Sequence, residues 1–166
     1  MDNEDEYWMQ RALTLAESGG RGGEVPVGAI VVLDGREIGA GYNAPISQCD
    51  PTAHAEIRAL RDAARRLGNY RLAGATLYVT LEPCTMCAGA LVHSRISRLV
   101  FGALEPKAGA IVSSNRILED SAMNWRVAVT GGVLSSSCGH LLSEFFSRRR
   151  DQIRHQRRSA SGTDRG

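Results

Sequence analysis

Two cysteines three positions apart, Cys84 and Cys87, follow an apolar run and Pro83, and they constrain this chain more than any other feature. Residues i and i+3 share a helical face, and thiolates are favoured where the free N–H groups and dipole of a helix start supply positive potential. A Cys-x-x-Cys pair alone fits either a redox couple or half of a zinc site. The upstream segment Pro51-Thr52-Ala53-His54-Ala55-Glu56 decides between them. His54, Cys84 and Cys87 make three soft or borderline ligands, the set that zinc prefers. Three protein ligands leave a fourth position for water, with Glu56 beside it and not needed as a ligand. A catalytic zinc site is expected. The alternative, a structural site, would take its fourth ligand from Cys49, Cys138, His93 or His140.

The periodicity around these motifs alternates strands with helices. Residues 7–18 carry Trp8, Ala12 and Leu13 on one helical stripe, and the glycine-rich residues 19–23 are expected to end it in a loop. The nearly continuous apolar run 27–33 suits a strand buried on both faces. Asp34-Gly35 is a hairpin-turn pair, with residues 36–42 as the returning strand and 43–51 as a loop. A helix follows, with Asp50 as its capping residue, Pro51 early in it, and Ala53, Ile57, Leu60, Ala64 and Leu67 on one face. Gly68-Asn69 closes it. Further strands are expected at 76–81, 96–101 and 126–130, a short helix from Pro83-Cys84 to about His93, and a last helix from about Ser136. This order implies a mixed or parallel sheet with helices on both faces behind an antiparallel hairpin. In such sheets, sites form beyond the carboxyl ends of strands, where helices begin.

With 166 residues, 43% of them hydrophobic, the chain is expected to be one domain with a proper core. The acidic start is the reverse of a signal or transit sequence, the longest apolar run is too short to span a bilayer, and a cytoplasmic location is expected. The formal charge of +2 is uneven. From 148 to 166 there are seven arginines and two aspartates, so that end carries +5 and the remainder −3. Such a run is either a solvated end or an electrostatic handle for nucleic acid. Residues 1–150 are read as the catalytic domain and 151–166 as a flexible basic tail.

His54 and Glu56 would point about 200° apart on a helix body. In a first turn, side chains lean towards the N-terminus and can converge ahead of the helix end. Zinc lowers the pKa of a bound water towards neutrality. Glu56 is placed to take that proton and deliver it to a ring nitrogen and then to a leaving amine. The implied reaction is hydrolytic removal of ammonia from a heterocycle, through zinc-activated hydroxide.

His54-x-Glu56 followed by Pro83-Cys84-x-x-Cys87 resembles the signature of the zinc-dependent nucleobase deaminases, and the resemblance implies their reaction. Glu24-Val25-Pro26-Val27-Gly28-Ala29, Asp50-Pro51-Thr52, Leu77-Tyr78-Val79-Thr80-Leu81-Glu82, His93-Ser94-Arg95-Ile96 and Leu142-Ser143-Glu144-Phe145-Phe146 extend the likeness to the bacterial tRNA-specific adenosine deaminases. It covers nearly the whole chain, up to about Gln156. The resemblance implies a three-layer α/β/α cytidine-deaminase-like fold with a central mixed five-stranded sheet. It also implies one zinc per subunit, a homodimer, and conversion of adenosine to inosine at the first anticodon position of an arginine tRNA. It makes Glu56 catalytic and His54, Cys84 and Cys87 metal ligands. Asn43 becomes the partner of the flipped base, and Glu105, Lys107, Phe146 and Arg149 line the anticodon groove. Aromatic and arginine side chains suit splayed single-stranded bases. Leu104, Glu105, Ile111 and Val112 depart from the family pattern. Two rival readings share the zinc motif: a deaminase of a free base or nucleotide, of guanine or cytosine type, and a non-enzymatic RNA-binding module with structural zinc.

Overall fold

The apolar run becomes β1 (Gly28–Leu33), an interior strand of the sheet that is buried on both faces because helices cover each side. The computed structural model describes residues 3–162; Met1, Asp2 and residues 163–166, the last of the expected tail, lie outside the described residues. Asp34 and Gly35 take positive φ of 51° and 72°, as a tight hairpin turn requires, and β2 (Arg36–Tyr42) returns antiparallel to β1. On its other side β1 pairs antiparallel with β3 (Thr76–Leu81), which continues in parallel to β4 (Arg98–Ala103) and β5 (Ala128–Gly131). The order is β2-β1-β3-β4-β5. The last two strands begin two residues later than the sequence pattern implies.

The pleat sorts the core into two faces. Ala29, Val31, Leu77, Val79, Leu99 and Phe101 pack with Ala55, Ala59 and Ala63 of α3 (Ala55–Leu67) and with Ala88, Leu91 and Val92 of α4 (Thr85–His93). Ile30, Val32, Tyr78 and Val100 face the other way. They pack against Trp8, Met9, Ala12 and Leu13 of α1 (Asn3–Arg21) and Cys138 of α5 (Ser135–Gly162), counting the short helix Pro45–Gln48 as α2. The three-layer α/β/α sandwich with a five-stranded mixed sheet is therefore present. Among the described residues no helix is long and apolar enough to cross a membrane.

Three local expectations are corrected by packing. Helix α1 continues through Gly19 and Gly20 to Arg21, because Gly19 lies flat against Tyr42, where a Cβ would come within 2.9 Å of the ring. Helix α3 buries Ala55, Glu56, Ala59, Leu60 and Ala63, with Ile57 and Ala64 half-buried and Leu67 exposed. Its small-residue face is admitted by Gly39 and Gly41 of β2, where added Cβ atoms would lie 2.4 and 2.8 Å from helix carbonyls. Asp50 does not cap α3: its carboxylate accepts from the backbone and hydroxyl of Thr52, and His54 is the N-cap. Residues 151–162 continue α5 without a break and are exposed throughout.

One buried carboxylate ties helix α1 to the sheet. Asp5 of α1 accepts two hydrogen bonds from the Arg98 guanidinium, at 2.8 and 2.7 Å, and one from the Tyr78 hydroxyl at 2.9 Å. Arg98 also donates to Thr130 on β5. Arg98 holds the Asp5 carboxyl below the usual carboxylate range. Removing one partner of such a pair strands the other, and Asp5→Ala is expected to cost about 3 kcal/mol in urea denaturation. The carboxylate's contribution is complete above the unfolded-state pKa of about 3.9 and is lost as pH falls through the lower folded value. The difference between wild type and variant should therefore shrink on acidification below about pH 4, and a constant difference would contradict this account.

Candidate active site

Because β2 and β3 are each antiparallel to β1, they run in the same direction, and their carboxyl ends leave the sheet at one edge. The chain that leaves β2 reaches His54, and the chain that leaves β3 reaches Cys84. His54 is the N-cap of α3, with extended φ and ψ of −70° and 154°, and Cys84 is the N-cap of α4, with −78° and 178°. Both cap positions set their side chains ahead of a helix start. Glu56 then falls in the first turn of α3 and Cys87 in the first turn of α4, so all four groups meet where two helix N-termini point. Cys87 is fully buried, Glu56 is 4% exposed, and Cys84 and His54 are half-buried.

The Nδ1 atom of His54 lies 3.6 Å from the Cys84 sulfur and 3.5 Å from that of Cys87. The three ligand atoms are within 4.8 Å of one another. Tetrahedral bonding to zinc at about 2.3 Å for sulfur and about 2.0 Å for nitrogen places S and N about 3.5 Å apart. The donor set and its spacing fit zinc. Among the described residues, no fourth histidine, cysteine or acidic ligand joins the cluster. His93 is exposed, His140 pairs with Glu144 at 3.2 Å, Cys49 is exposed, and Cys138 is buried against Gly102.

Electrostatics make the two thiols unequal. A hydrogen bond from Cys87 and another from His54 pull the Cys84 thiol down to about 3. The same bond, reinforced by burial and by Glu56, pushes Cys87 up. The Cys84 thiolate in turn raises His54. Burial raises the Glu56 carboxyl above its ordinary value, opposed by its own backbone N–H and by a hydrogen bond from Cys87. A carboxyl at a helix start, nearly sealed from solvent and touching a ligand sulfur, can hold or release a proton beside whatever occupies the cluster.

Two buried carboxylates that motif reading leaves without a role hold this edge in shape. Burial would raise Glu24, but the N–H groups of Ser47 and Ile46, at 2.9 and 3.2 Å, bring its carboxyl below the usual range and fasten α2. The next residues of that loop return to the site, where the Ala44 N–H donates to the Ala53 carbonyl at 2.9 Å. This bond seats half-buried Asn43 beside the turn that carries His54. Glu82, two residues before Cys84, accepts from the N–H groups of Glu105, Ile111, Val112 and Ser113 and from the Ser113 hydroxyl. Against the raising effect of burial, these donors hold its carboxyl low. Ala110 N–H donates to the Pro83 carbonyl, so the 105–113 loop is stitched to the Cys84 turn. Ile111 is buried and Val112 packs against the same core cluster, which gives a physical reason for apolar residues there. The only hint of these roles in the sequence is that both glutamates adjoin an apolar strand.

The residues expected to touch RNA do not share one surface. Phe146, Glu105, Leu104, Leu81, Val25 and Arg150 line a groove of about 420 Å³ at the strand end that leads to Cys84. Glu105 is also a turn former, its carboxylate accepting from the N–H of Lys107 and of Ala108. Lys107 is exposed on that turn. Arg149 faces a different groove, on the α1 side of α5, with its guanidinium 5.8 Å over the Phe145 ring. Phe146 is the exposed member of the phenylalanine pair and Phe145 is half-buried. One turn of α5 thus separates Arg149 from Phe146.

Residues 2–103 match the family model of the cytidine and deoxycytidylate deaminase zinc-binding region. A tRNA-specific adenosine deaminase of Haemophilus influenzae is 56% identical over 149 residues, covering 89% of this chain and 86% of that one. The Bacillus subtilis tRNA-specific adenosine deaminase is 41% identical over 158 residues, covering 95% and 98%. Among solved structures, a deaminase from a study of A-to-I editing by tRNA:A34 deaminases at the wobble position of transfer RNA superposes with a TM-score of 0.80. It is 46% identical and covers 82% of this chain and 99% of its own. A guanine deaminase from Nitrosomonas europaea superposes with a TM-score of 0.73 at 26% identity, covering 84% and 83%.

Glu82→Gln replaces an acceptor oxygen with a donor facing a set of N–H groups, and is expected to cost about 2 kcal/mol. The loss should be local. Amide exchange at Ile111, Val112 and Ser113 should quicken by more than that of β1; a uniform rise across the sheet would mean that Glu82 supports the core and not the loop.

Proposed function

The chain belongs to the cytidine and deoxycytidylate deaminase family, and we propose that it deaminates adenosine to inosine at the wobble position of tRNA, an arginine tRNA in particular. The observation that carries the chemistry is the meeting of Glu56 with His54, Cys84 and Cys87 at two helix starts. The tRNA substrate is supported by the 56% and 41% identical relatives and by the tRNA:A34 deaminase fold.

His54, Cys84 and Cys87 would hold the zinc. When bound, zinc supplies the Lewis acidity that lets a water lose a proton near neutral pH. Glu56 accepts a proton from water and gives it to a ring nitrogen of the base as the water oxygen bonds to the amine-bearing carbon. It then takes the remaining proton of that hydroxyl and gives it to the amine as the C–N bond breaks and the carbonyl forms, so that water and adenosine become inosine and ammonia. Burial of Glu56 keeps this proton from exchanging with bulk solvent. Asn43, seated by the Ala44–Ala53 hydrogen bond, is assigned to the edge of the flipped base. Phe146 and Glu105 are assigned to the groove, where a neighbouring base stacks and a nucleotide is oriented, with Lys107 on its exposed rim. Arg149 is assigned to the phosphate of a nucleotide on the far side of α5. Residues 1–150 are taken as the deaminase domain and 151–166 as a basic appendage. The family resemblance supports a homodimer that acts in the cytoplasm.

The reading is tested with purified zinc-loaded protein and an unmodified arginine tRNA bearing adenosine at the wobble position, with free adenosine, guanine and cytidine run in parallel. Inosine in the tRNA without turnover of the free compounds is expected. Turnover of guanine with the tRNA untouched would transfer the site to the guanine deaminase reading. Glu56→Gln is expected to lower the rate by at least about 10²–10⁴-fold while metal analysis still finds one zinc per chain. Cys87→Ser should lose the zinc as well as the activity. An active Glu56→Gln protein would end the assignment of Glu56 as proton carrier.

A further inference from the structure

We propose that the exposed end of α5 is a second RNA-binding surface, a stripe of arginines that holds the phosphate backbone of the anticodon stem while the anticodon loop occupies the zinc site. The proposal rests on the tRNA reading above and says which part of the tRNA this surface takes. Arg150, Arg154, Arg157 and Arg158 are spaced i, i+4, i+7 and i+8. At about 100° per residue they fall within roughly 100° of one helix face and span about 12 Å along the axis. All four are exposed. Among the described residues none of them pairs with a carboxylate, whereas Arg148, on the opposite side of the helix, engages Glu144 at 3.8 Å.

The stripe is continuous with the groove at the end of β3. Phe146 lies on the same face one turn before Arg150, and both line the groove beside Leu104 and Glu105. A strand whose base stacks on Phe146 is led directly onto a row of guanidiniums. Guanidinium forks suit phosphate oxygens, and an unpaired row of them is electrostatically complementary to an RNA backbone. A lipid surface fits less well, because a helix that lies on a membrane needs a broad apolar face and residues 147–162 offer only Ile153 and Ala160 as apolar side chains. Arg150 lines the Phe146 groove and Arg154, Arg157 and Arg158 do not; they extend about 12 Å further along α5, which sets their target outside the loop that carries the reacting base.

The test compares the full-length protein with Arg154→Gln/Arg157→Gln/Arg158→Gln, which leaves the groove residue Arg150 in place, since glutamine removes charge and keeps helix propensity; circular dichroism checks that α5 persists. Dissociation constants are measured across a salt series for whole arginine tRNA and for a short single-stranded anticodon-loop oligonucleotide. For the tRNA, the variant should bind about tenfold or more weakly at low salt, with its log–log salt slope reduced by roughly 2–3. The oligonucleotide should bind both proteins alike. An unchanged tRNA slope overturns the proposal, as does an equal loss on the oligonucleotide, which would return the arginines to the loop. Binding of the wild type to anionic phosphatidylglycerol vesicles, lost in the variant while the tRNA slope stays put, would also overturn it in favour of a membrane. These outcomes are read from binding and leave the inosine assay untouched. Failure of that assay overturns the underlying reading and this proposal with it.

Discussion

Everything at the site depends on β1 being antiparallel to both of its neighbours. That single arrangement makes β2 and β3 run the same way, so the chain leaves both at one edge of the sheet. Two helices then start there, each with a ligand as its N-cap. Helix N-termini present free N–H groups and partial positive charge, which favours the thiolate of Cys84 and the carboxylate chemistry of Glu56. The metal ligands are therefore brought together by sheet topology, across a sequence separation of 30 between His54 and Cys84, and not by any local turn.

The precision of that meeting comes from close packing and from satisfied buried charge. Gly39 and Gly41 let α3 approach β2 at a distance that a Cβ would forbid, and the helix start that carries His54 and Glu56 is set by that approach. Glu24 and Glu82 act at the same edge as internal caps. Each is buried, Glu24 collects two backbone N–H groups and Glu82 four, and each ties one loop to the strand end beside it. A buried carboxylate without donors would be expensive. With them it becomes a rigid anchor for a segment that has little hydrophobic area of its own. Asp5 does the same on the other side of the sheet through Arg98 and Tyr78.

Helix α5 divides its duties along its length. Its first turns bury Cys138 and pack Leu141 and Leu142 against the sheet. Its middle presents Phe146 to one groove and Phe145 with Arg149 to another. Its end carries charge into solvent. A rigid helix that begins in the core and ends far outside it is a physical means of fixing an exposed charged surface relative to a buried reaction site.

The clustering of His54, Cys84 and Cys87 with Glu56 was legible in the sequence because it follows from residue type and short spacing: a histidine, two cysteines and an acid have few common chemistries, and caps and first turns are local structures. Strands 27–33 and 76–81 were legible for a similar reason, since burial on both faces requires an unbroken apolar run. The buried face of α3, the passage of α1 through two glycines, and the cap of α3 were not. Each depends on a partner far along the chain: glycines of β2, the ring of Tyr42, and the way Asp50 spends its carboxylate on Thr52. The roles of Asp5, Glu24 and Glu82 belong to the same class, because a glutamate reads as a surface residue until its donors are known. By itself, then, the sequence determined the donor set that clusters, the acid that lies beside it and the layered architecture, which follow from side-chain chemistry and hydrophobic period. The tertiary structure alone decided which faces meet, which carboxylates are buried, and that Phe146 and Arg149, three residues apart, serve different grooves, because those are properties of contacts between distant segments.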